Sequence, residues 1–599
     1  MASQHPFQPI VCIVDFHHAR GPEVEKWLGV SDEEDPAEEN DWSLLPFMAL
    51  SDGAHASVED FSYFTLRREA TAEHPAASLF GISCTRQLDA NELINRPKEV
   101  TRSTVQKAVV VICDRPQCFG NLRERLSIVV NAWFAQRDFT DLDILQRFQE
   151  SLDKSFKAQE EERDQYFGLS LRELIHEFKY QTLVLFKCCL LQPKMLFFGS
   201  HCERICMLQF SLISLIPGLI RNLKDCADPT FNSYEKFLVM PTSLKTSERP
   251  SLLAYMGLPL QLFGTGSLFG PYTPLQQLDL LADHGTKSYI VGSTNSLLLQ
   301  QKDRYSDILI NLDEDTINIT SPSLRAALTL STPDRRWIDF LTQTVNDTWD
   351  ESNPSRPKTM GYAGSEEFIR LQFEEYILAL LAAVKYKQHT GHKDDSQWGE
   401  DPSSEFNPEF IDAWMKTDNF RVFNKYTYSD LFDVVQPLHP CSGGLSIEDV
   451  QRRVAQQIND LHLDERFQAS RETIGKHLAT GQQKVSTVFN NLWQDIEAMR
   501  EAQKRKHEEQ KAAQIAANAS GPSSPTEKSP TSRFAKAPDF SQAQASVQAA
   551  GSRAGAYLSS WGTWAAEKRK TGWGRGSTPA SPTTEEPKFG SLGKEGGGK

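Results

Sequence analysis

The sequence of 599 residues predicts a multi-module fold of α/β and α+β type, and three observations carry that expectation. Several strand-like runs followed by one helical pattern fill 10–150. Helical and strand-like patterns alternate over 166–320. From Pro322 onward only helical periodicities remain, over 321–464. An amphipathic and charged helix over 465–512 and a largely disordered tail over 513–599 complete the expected organisation. A prior of about 150 residues per domain accommodates three or four such units.

In chain order, the first strand is read at 10–16 (IVCIVDF), ending at His17-His18 and the turn residues Gly21-Pro22. An acidic loop follows at 32–41 (DEEDPAEEND), and Asp52-Gly53 signals a turn. Further strands are expected at 62–66, 79–84 and 109–113. Gly120-Asn121 then opens a helix carrying Leu122, Leu126, Val129, Val130 and Trp133. Several strands and a helix make a compact α+β unit. The charged, apolar-poor stretch 151–165 reads as a linker.

The densest apolar run lies at 183–220, broken by Lys187, Pro193, Lys194, Glu203 and Arg204. A membrane span needs roughly 18 or more uninterrupted apolar residues, so this run is a buried core. Ser170 and Glu173 form a capping-box pattern, with Leu169 and Leu174 placed as a staple. Apolar positions 171, 174, 175, 178 and 185 follow, predicting a helix over 171–191. Residues 195–198 read as a buried strand, and 202–215 as a helix stopped by Pro217, which cannot donate and clashes with the preceding turn. After a polar interruption at 225–249 come a helix marked by Leu275, Leu278 and Leu281, a strand at 289–292 and another at 307–313. Such alternation favours a layered sheet with parallel pairing. Helices are expected at 324–345, 366–386, 410–416 and 446–461, with a loop at 389–407.

Composition narrows the function classes. A net charge of −15 argues against nucleic acid, whose phosphates attract basic faces. Ten cysteines, with no charged n-region and apolar h-region opening the sequence, lead to the expectation of free thiols in a reducing, cytoplasmic setting. Gly264, Gly266 and Gly270 miss the dinucleotide fingerprint by one position, no Walker lysine follows a glycine loop, and there is no G-x-S-x-G elbow. His201, Cys202 and Cys206 fall short of the four ligands a structural zinc wants, and buried core thiols account for them. His17-His18 at a strand end reads as structural. The expectation is no covalent catalysis, metal, cofactor or small-molecule substrate.

Several blocks resemble the tripartite DENN-domain superfamily, and within it the late-secretory-pathway (AVL) family. In the first unit they are Asp15-Phe16-His17-His18 with Arg20-Gly21-Pro22, then 45–50 (LPFMAL) with Asp52-Gly53-Ala54-His55, then 80–84 (FGISC) with Arg86-Gln87, then Thr101-Arg102 with 104–107 (TVQK). In the second they are 194–198 (KMLFF), Pro217-Gly218, 257–260 (GLPL), Pro271-Tyr272, and Gly292 with Thr294-Asn295. The resemblance covers about 10–461; the acidic insert and 225–249 depart from it. It implies a longin-like N-terminal module, a central α/β sheet module and an all-α C-terminal module. It further implies a Rab-type small GTPase as partner, nucleotide exchange, and a role in Golgi-to-surface transport on Golgi-derived membranes. A trafficking scaffold or effector without exchange activity is the alternative. Exchange requires only a partner that prefers the open, nucleotide-free GTPase.

Two places are candidate contact sites. The polar corner Ser293, Thr294 and Asn295, with Lys302, Asp303 and Arg304, follows a strand end, where α/β sheets place binding groups; an ordinary capped turn is the alternative. In the tail, Phe467, Ile474, Leu478, Val485, Phe489, Leu492 and Ile496 form one helical stripe, docked, paired or membrane-facing. Val547, Tyr557, Leu558, Trp561 and Trp564 recur at helical spacing within 546–566, flanked by basic residues. They suit an interfacial helix that orders on an anionic or loosely packed membrane, or else a disordered tail.

Overall fold

Alternation along the first strands explains the first half of the architecture. In Ile10–His17 (β1), Val11 and Ile13 enter one apolar cluster while Cys12 and Val14 enter another. Opposite pleats therefore face opposite layers. Gly21–Leu28 (β2), Glu59–Arg68 (β3), Ala77–Asp89 (β4) and Thr104–Cys113 (β5) complete an antiparallel sheet in the order β2-β1-β5-β4-β3. One face packs under the Phe119–Ala135 helix through Leu122, Leu126, Val130 and Trp133; the other packs under Trp42 and the Leu45–Ala49 helix. The computed structural model describes residues 7–442 except 32, 55–56, 73, 97–99, 159–167, 169, 246–247, 360 and 391–400.

Lys194–Phe198 (β6), Ser267–Gly270 (β7), Ser288–Ser293 (β8), Ile308–Asn311 (β9) and Thr316–Ile319 (β10) form a second sheet, ordered β10-β9-β6-β8-β7. β6, β7, β8 and β9 run parallel, with Lys194 beside Tyr289 and Phe198 beside Ser293; β10 is antiparallel to β9. Met195 and Phe197 face the Cys202–Ser214 helix and the main core, whereas Leu196 and Phe198 face the Leu275–Asp283 helix. Apart from Leu196 and Phe198, the dense apolar run packs into that main core, where the Phe186 ring stands edge-on to both Phe373 and Tyr376. No helix among the described residues is long and apolar enough to cross a membrane.

The helix expected over 171–191 is two helices, Leu171–Phe178 and Tyr180–Leu191. Lys179 between them has φ 50° and ψ −126°, while its amide still donates to Ile175 O. Both halves keep helical periodicity, so a break at one residue leaves no trace in the apolar pattern. The capping box at Ser170 and Glu173 is present; Leu169 is outside the described residues.

Other boundaries change for similar reasons. The turn expected at Gly21-Pro22 starts β2, an edge strand whose Glu23, Glu25 and Lys26 hide it from an apolar count. The expected linker is helical as far as Ala158: the Asp143–Ala158 helix buries Leu145, Phe148 and Leu152. The acidic loop contains the Pro36–Glu39 helix, capped by Asp35. The polar interruption at 225–249 is tied in by its buried Asp225, which accepts from Ser233 Oγ and the Tyr234 amide. β10 is too short and polar to announce itself.

After β10 the described residues hold helices only: Pro322–Ala327, Thr332–Asp347, Glu366–Thr390, Pro408–Trp414 and Asp418–Lys425, with short 3-10 turns. The helix expected over 324–345 is thus divided, because Ser331 starts a new capping box with Asp334. The long helix runs to Thr390 and takes the first residues of the expected loop. The Asp418–Lys425 helix is additional to those the apolar periodicity predicts. The helix expected at 446–461, the stripe from Phe467 to Ile496, and Val547, Tyr557, Leu558, Trp561 and Trp564 lie outside the described residues.

Candidate functional site

The parallel strands of the second sheet end along one edge, and polar groups collect there. At the end of β8, Thr294 Oγ1 donates to Asp52 O at 2.6 Å and Asn295 Nδ2 donates to Asp52 Oδ2 at 2.9 Å. The Asp52 amide donates to Tyr272 Oη at 2.8 Å, a phenol whose pKa burial pushes well above its usual range. Asn295 Oδ1 also accepts from the Leu297 amide, so one side chain closes the turn and holds the first sheet's loop. At the end of β6, the amide and hydroxyl of Ser200 both donate to Asp313 Oδ1, 3.0 Å each, linking the exits of β6 and β9.

The loop is fixed from behind as well. Ser51 Oγ donates to Asp60 Oδ2 at 2.9 Å, and burial raises the Asp60 pKa while that bond opposes it. Arg123 bonds Glu203 through Nε at 2.7 Å, and Glu203 is the main cause of the raised Arg123 pKa. Thr65 Oγ1 donates to Phe269 O at 2.7 Å and the Tyr272 amide to Tyr63 O at 2.7 Å, which brings β3 alongside β7. The two sheets therefore meet along a bonded seam rather than through side-chain packing alone. A Cβ at Gly292 would strike Pro271 O, Gln209 Nε2 and Ile205, so only glycine lets the seam close.

The six residues of the expected corner do not form one site. Ser293 is the last residue of β8 and fully buried, its hydroxyl without a hydrogen-bond partner among the described residues. Thr294 and Asn295 stand half-exposed at the C-terminal edge. Lys302, Asp303 and Arg304 belong to the Lys302–Tyr305 helix at the opposite edge, where Arg304 pairs with Asp279 and Asp283. Two contacts fix that edge: Tyr305 O accepts from Tyr289 at the start of β8, and the Asp307 amide donates to Lys194 O at the start of β6. The chain between 295 and 302 returns across the sheet, and nearness in sequence does not reveal that return.

Asp52 and Tyr272 are the partners that the corner reading omitted. Both lie in blocks that carry the resemblance, Asp52-Gly53-Ala54-His55 and Pro271-Tyr272, and these blocks converge on Thr294-Asn295. Around them His201, Gly53, Ser296 and the half-exposed Leu297 face solvent. This is a mixed polar and apolar surface without an exposed thiol, since all ten cysteines are buried. Burial raises the Cys202 thiol well above its usual range, and among the described residues no three His, Cys, Asp or Glu side chains gather as a metal site. His17 Nδ1 accepts from the Ala19 and Arg20 amides, and His18 Nδ1 from those of Thr101 and Arg102, so both rings organise turns.

Residues 9–384 match the family described as transport protein Avl9. The sequence is 40% identical over 481 residues to the late secretory pathway protein AVL9 of Saccharomyces cerevisiae, covering 75% of this chain and 62% of that protein. It is also 40% identical over 443 residues to the late secretory pathway protein avl9 of Schizosaccharomyces pombe, covering 72% of this chain and 90% of that protein. The chain thus spans less than two thirds of the budding-yeast relative. A family match over more than half the sequence, with relatives at this identity, shows that the chain belongs to the Avl9 transport protein family.

Proposed function

We propose that this chain is a DENN-type protein of late secretory transport that binds a Rab-type small GTPase across the seam between its sheets and promotes nucleotide exchange. The observation that carries the reading is the convergence of Asp52, Tyr272, Thr294 and Asn295 at the C-terminal edge of a parallel sheet, a position that suits binding groups. The names of the fungal relatives support the secretory part. A fixed, mixed polar and apolar surface suits a protein partner. Exchange would act by stabilising the open GTPase over the nucleotide-bound form, and the shift is limited by the differential affinity for the two. The protein would work at the cytoplasmic face of Golgi-derived membranes, with longin-like, α/β and helical modules in series.

Fluorescent-nucleotide release from a panel of purified Rab proteins tests the proposal. Faster release from one member is the expected result. Binding without release identifies an effector or scaffold on the same fold, and the absence of both binding and release removes the Rab reading.

A further inference from the structure

Of the two segments that depart from the family resemblance, 225–249 carries an unexplained feature. The Ser233–Phe237 helix ends in extended backbone at Leu238 (φ −71°, ψ 126°), followed by Val239, Met240 and Pro241. Phe237 and Val239, either side of Leu238, are 81% and 77% exposed, the two most exposed large apolar side chains described. A soluble surface gains nothing from two such groups at neighbouring alternate positions.

The exposed charges around this hook are mostly basic: Lys224, Lys236, Arg421 and Lys425. Lys236 precedes Phe237, and Lys224 adjoins the Asp225 that holds Ser233 and Tyr234; neither lysine has an ion-pair partner among the described residues. Arg421 and Lys425 pair with Glu235, two residues from Phe237, at 2.8 and 3.2 Å. Glu235 itself is turned inward: these cations, Arg421 foremost, lower its pKa to about 2, and its side chain is 13% exposed. Asp225 is buried. Asp418, bonded to Arg421, is the nearby carboxylate that stays in solvent.

We infer that Phe237 and Val239 insert into the interfacial region of an anionic lipid bilayer, with Lys224, Lys236 and Lys425 set against its headgroups. Both apolar side chains are open to solvent, as insertion requires. Amphipathic lysine stems allow the apolar groups to enter while the ammonium groups remain among phosphates. This contact is separate from the aromatic tail segment and does not depend on the exchange reading, because a vesicle response needs no GTPase.

Because every native cysteine is buried, Val239→Cys in the full chain gives a selectively reactive thiol for an environment-sensitive fluorophore. Vesicles of phosphatidylcholine with phosphatidylserine should raise and blue-shift its emission, and nitroxide-labelled lipids should quench it. The same dye at Leu280→Cys, exposed on the Leu275–Asp283 helix, should not respond. In unlabelled protein, F237S with V239S should weaken vesicle affinity about tenfold without lowering the unfolding midpoint. An unchanged spectrum at position 239 overturns the inference. An equal response on pure phosphatidylcholine overturns the anionic-surface assignment, and a protein-concentration-dependent response without lipid assigns the hook to a second copy instead.

Discussion

Asn295 Nδ2 lies 2.9 Å from Asp52 Oδ2, joining residues 243 positions apart in the chain. With Thr294 and Tyr272 it makes the Asp52 loop part of the second sheet's edge, although the loop belongs in sequence to the first. T294V combined with N295A should lower chemical stability by about 1 kcal/mol, the net worth of partly exposed hydrogen bonds. It should lower Rab affinity by more than that. Urea unfolding and a direct binding titration measure the two effects, and a binding loss no greater than the stability loss would remove the seam from the partner site.

Lys187 and Asp334 form a fully buried pair at 2.6 Å, in which Asp334 also accepts from Tyr376 and His439. Burial lowers the Lys187 pKa, while Lys187 and His439 hold the Asp334 carboxyl below its usual range against burial. K187M leaves that carboxylate uncompensated and should cost about 3–5 kcal/mol. K187M with D334N should recover part of the loss, because it removes the orphaned charge. Denaturant midpoints of the two variants decide the point.

Lys385 gives a pH dependence with a definite sign. Burial on the long helix lowers its pKa to about 8, with Asn424 Oδ1 accepting at 2.8 Å. The unfolded value is about 10.4. The folded state therefore binds fewer protons between these values, and this residue's contribution makes stability rise with pH from about 8 to about 10.4. Below that window its full penalty is present. K385M should flatten the rise, as thermal midpoints across the window would reveal.

Lys179 holds a positive φ with ψ far from the left-handed helical region, a combination open mainly to glycine. K179G should raise stability by about 1 kcal/mol, with relief of strain exceeding the added entropy of the unfolded chain. A lower unfolding midpoint would show that the lysine side chain contributes more than its backbone costs.

The parts of this protein legible in sequence are those where a local period has one meaning. β1, β6 and the Cys202–Ser214 helix follow from apolar runs between clear stops. The Lys179 break, the polar edge strand β2 and the four-residue β10 have no such mark, since each depends on what lies beside it in space. The site shows the same division. Thr294 and Asn295 were visible as a polar corner, but Asp52 reaches them only through the meeting of two sheets. Lys302, Asp303 and Arg304 adjoin the corner in sequence, and the return of the chain across β8 separates them.

The proposed opening of a Rab-type GTPase rests on its contact with the seam. Release of fluorescent GDP from the responding member of a purified Rab panel, measured with the unaltered chain and with T294V/N295A, tests it most directly. The unaltered chain should accelerate release about tenfold or more, and the seam variant should lose most of this effect while remaining folded. Failure to accelerate any member, or equal acceleration by both proteins, would contradict it.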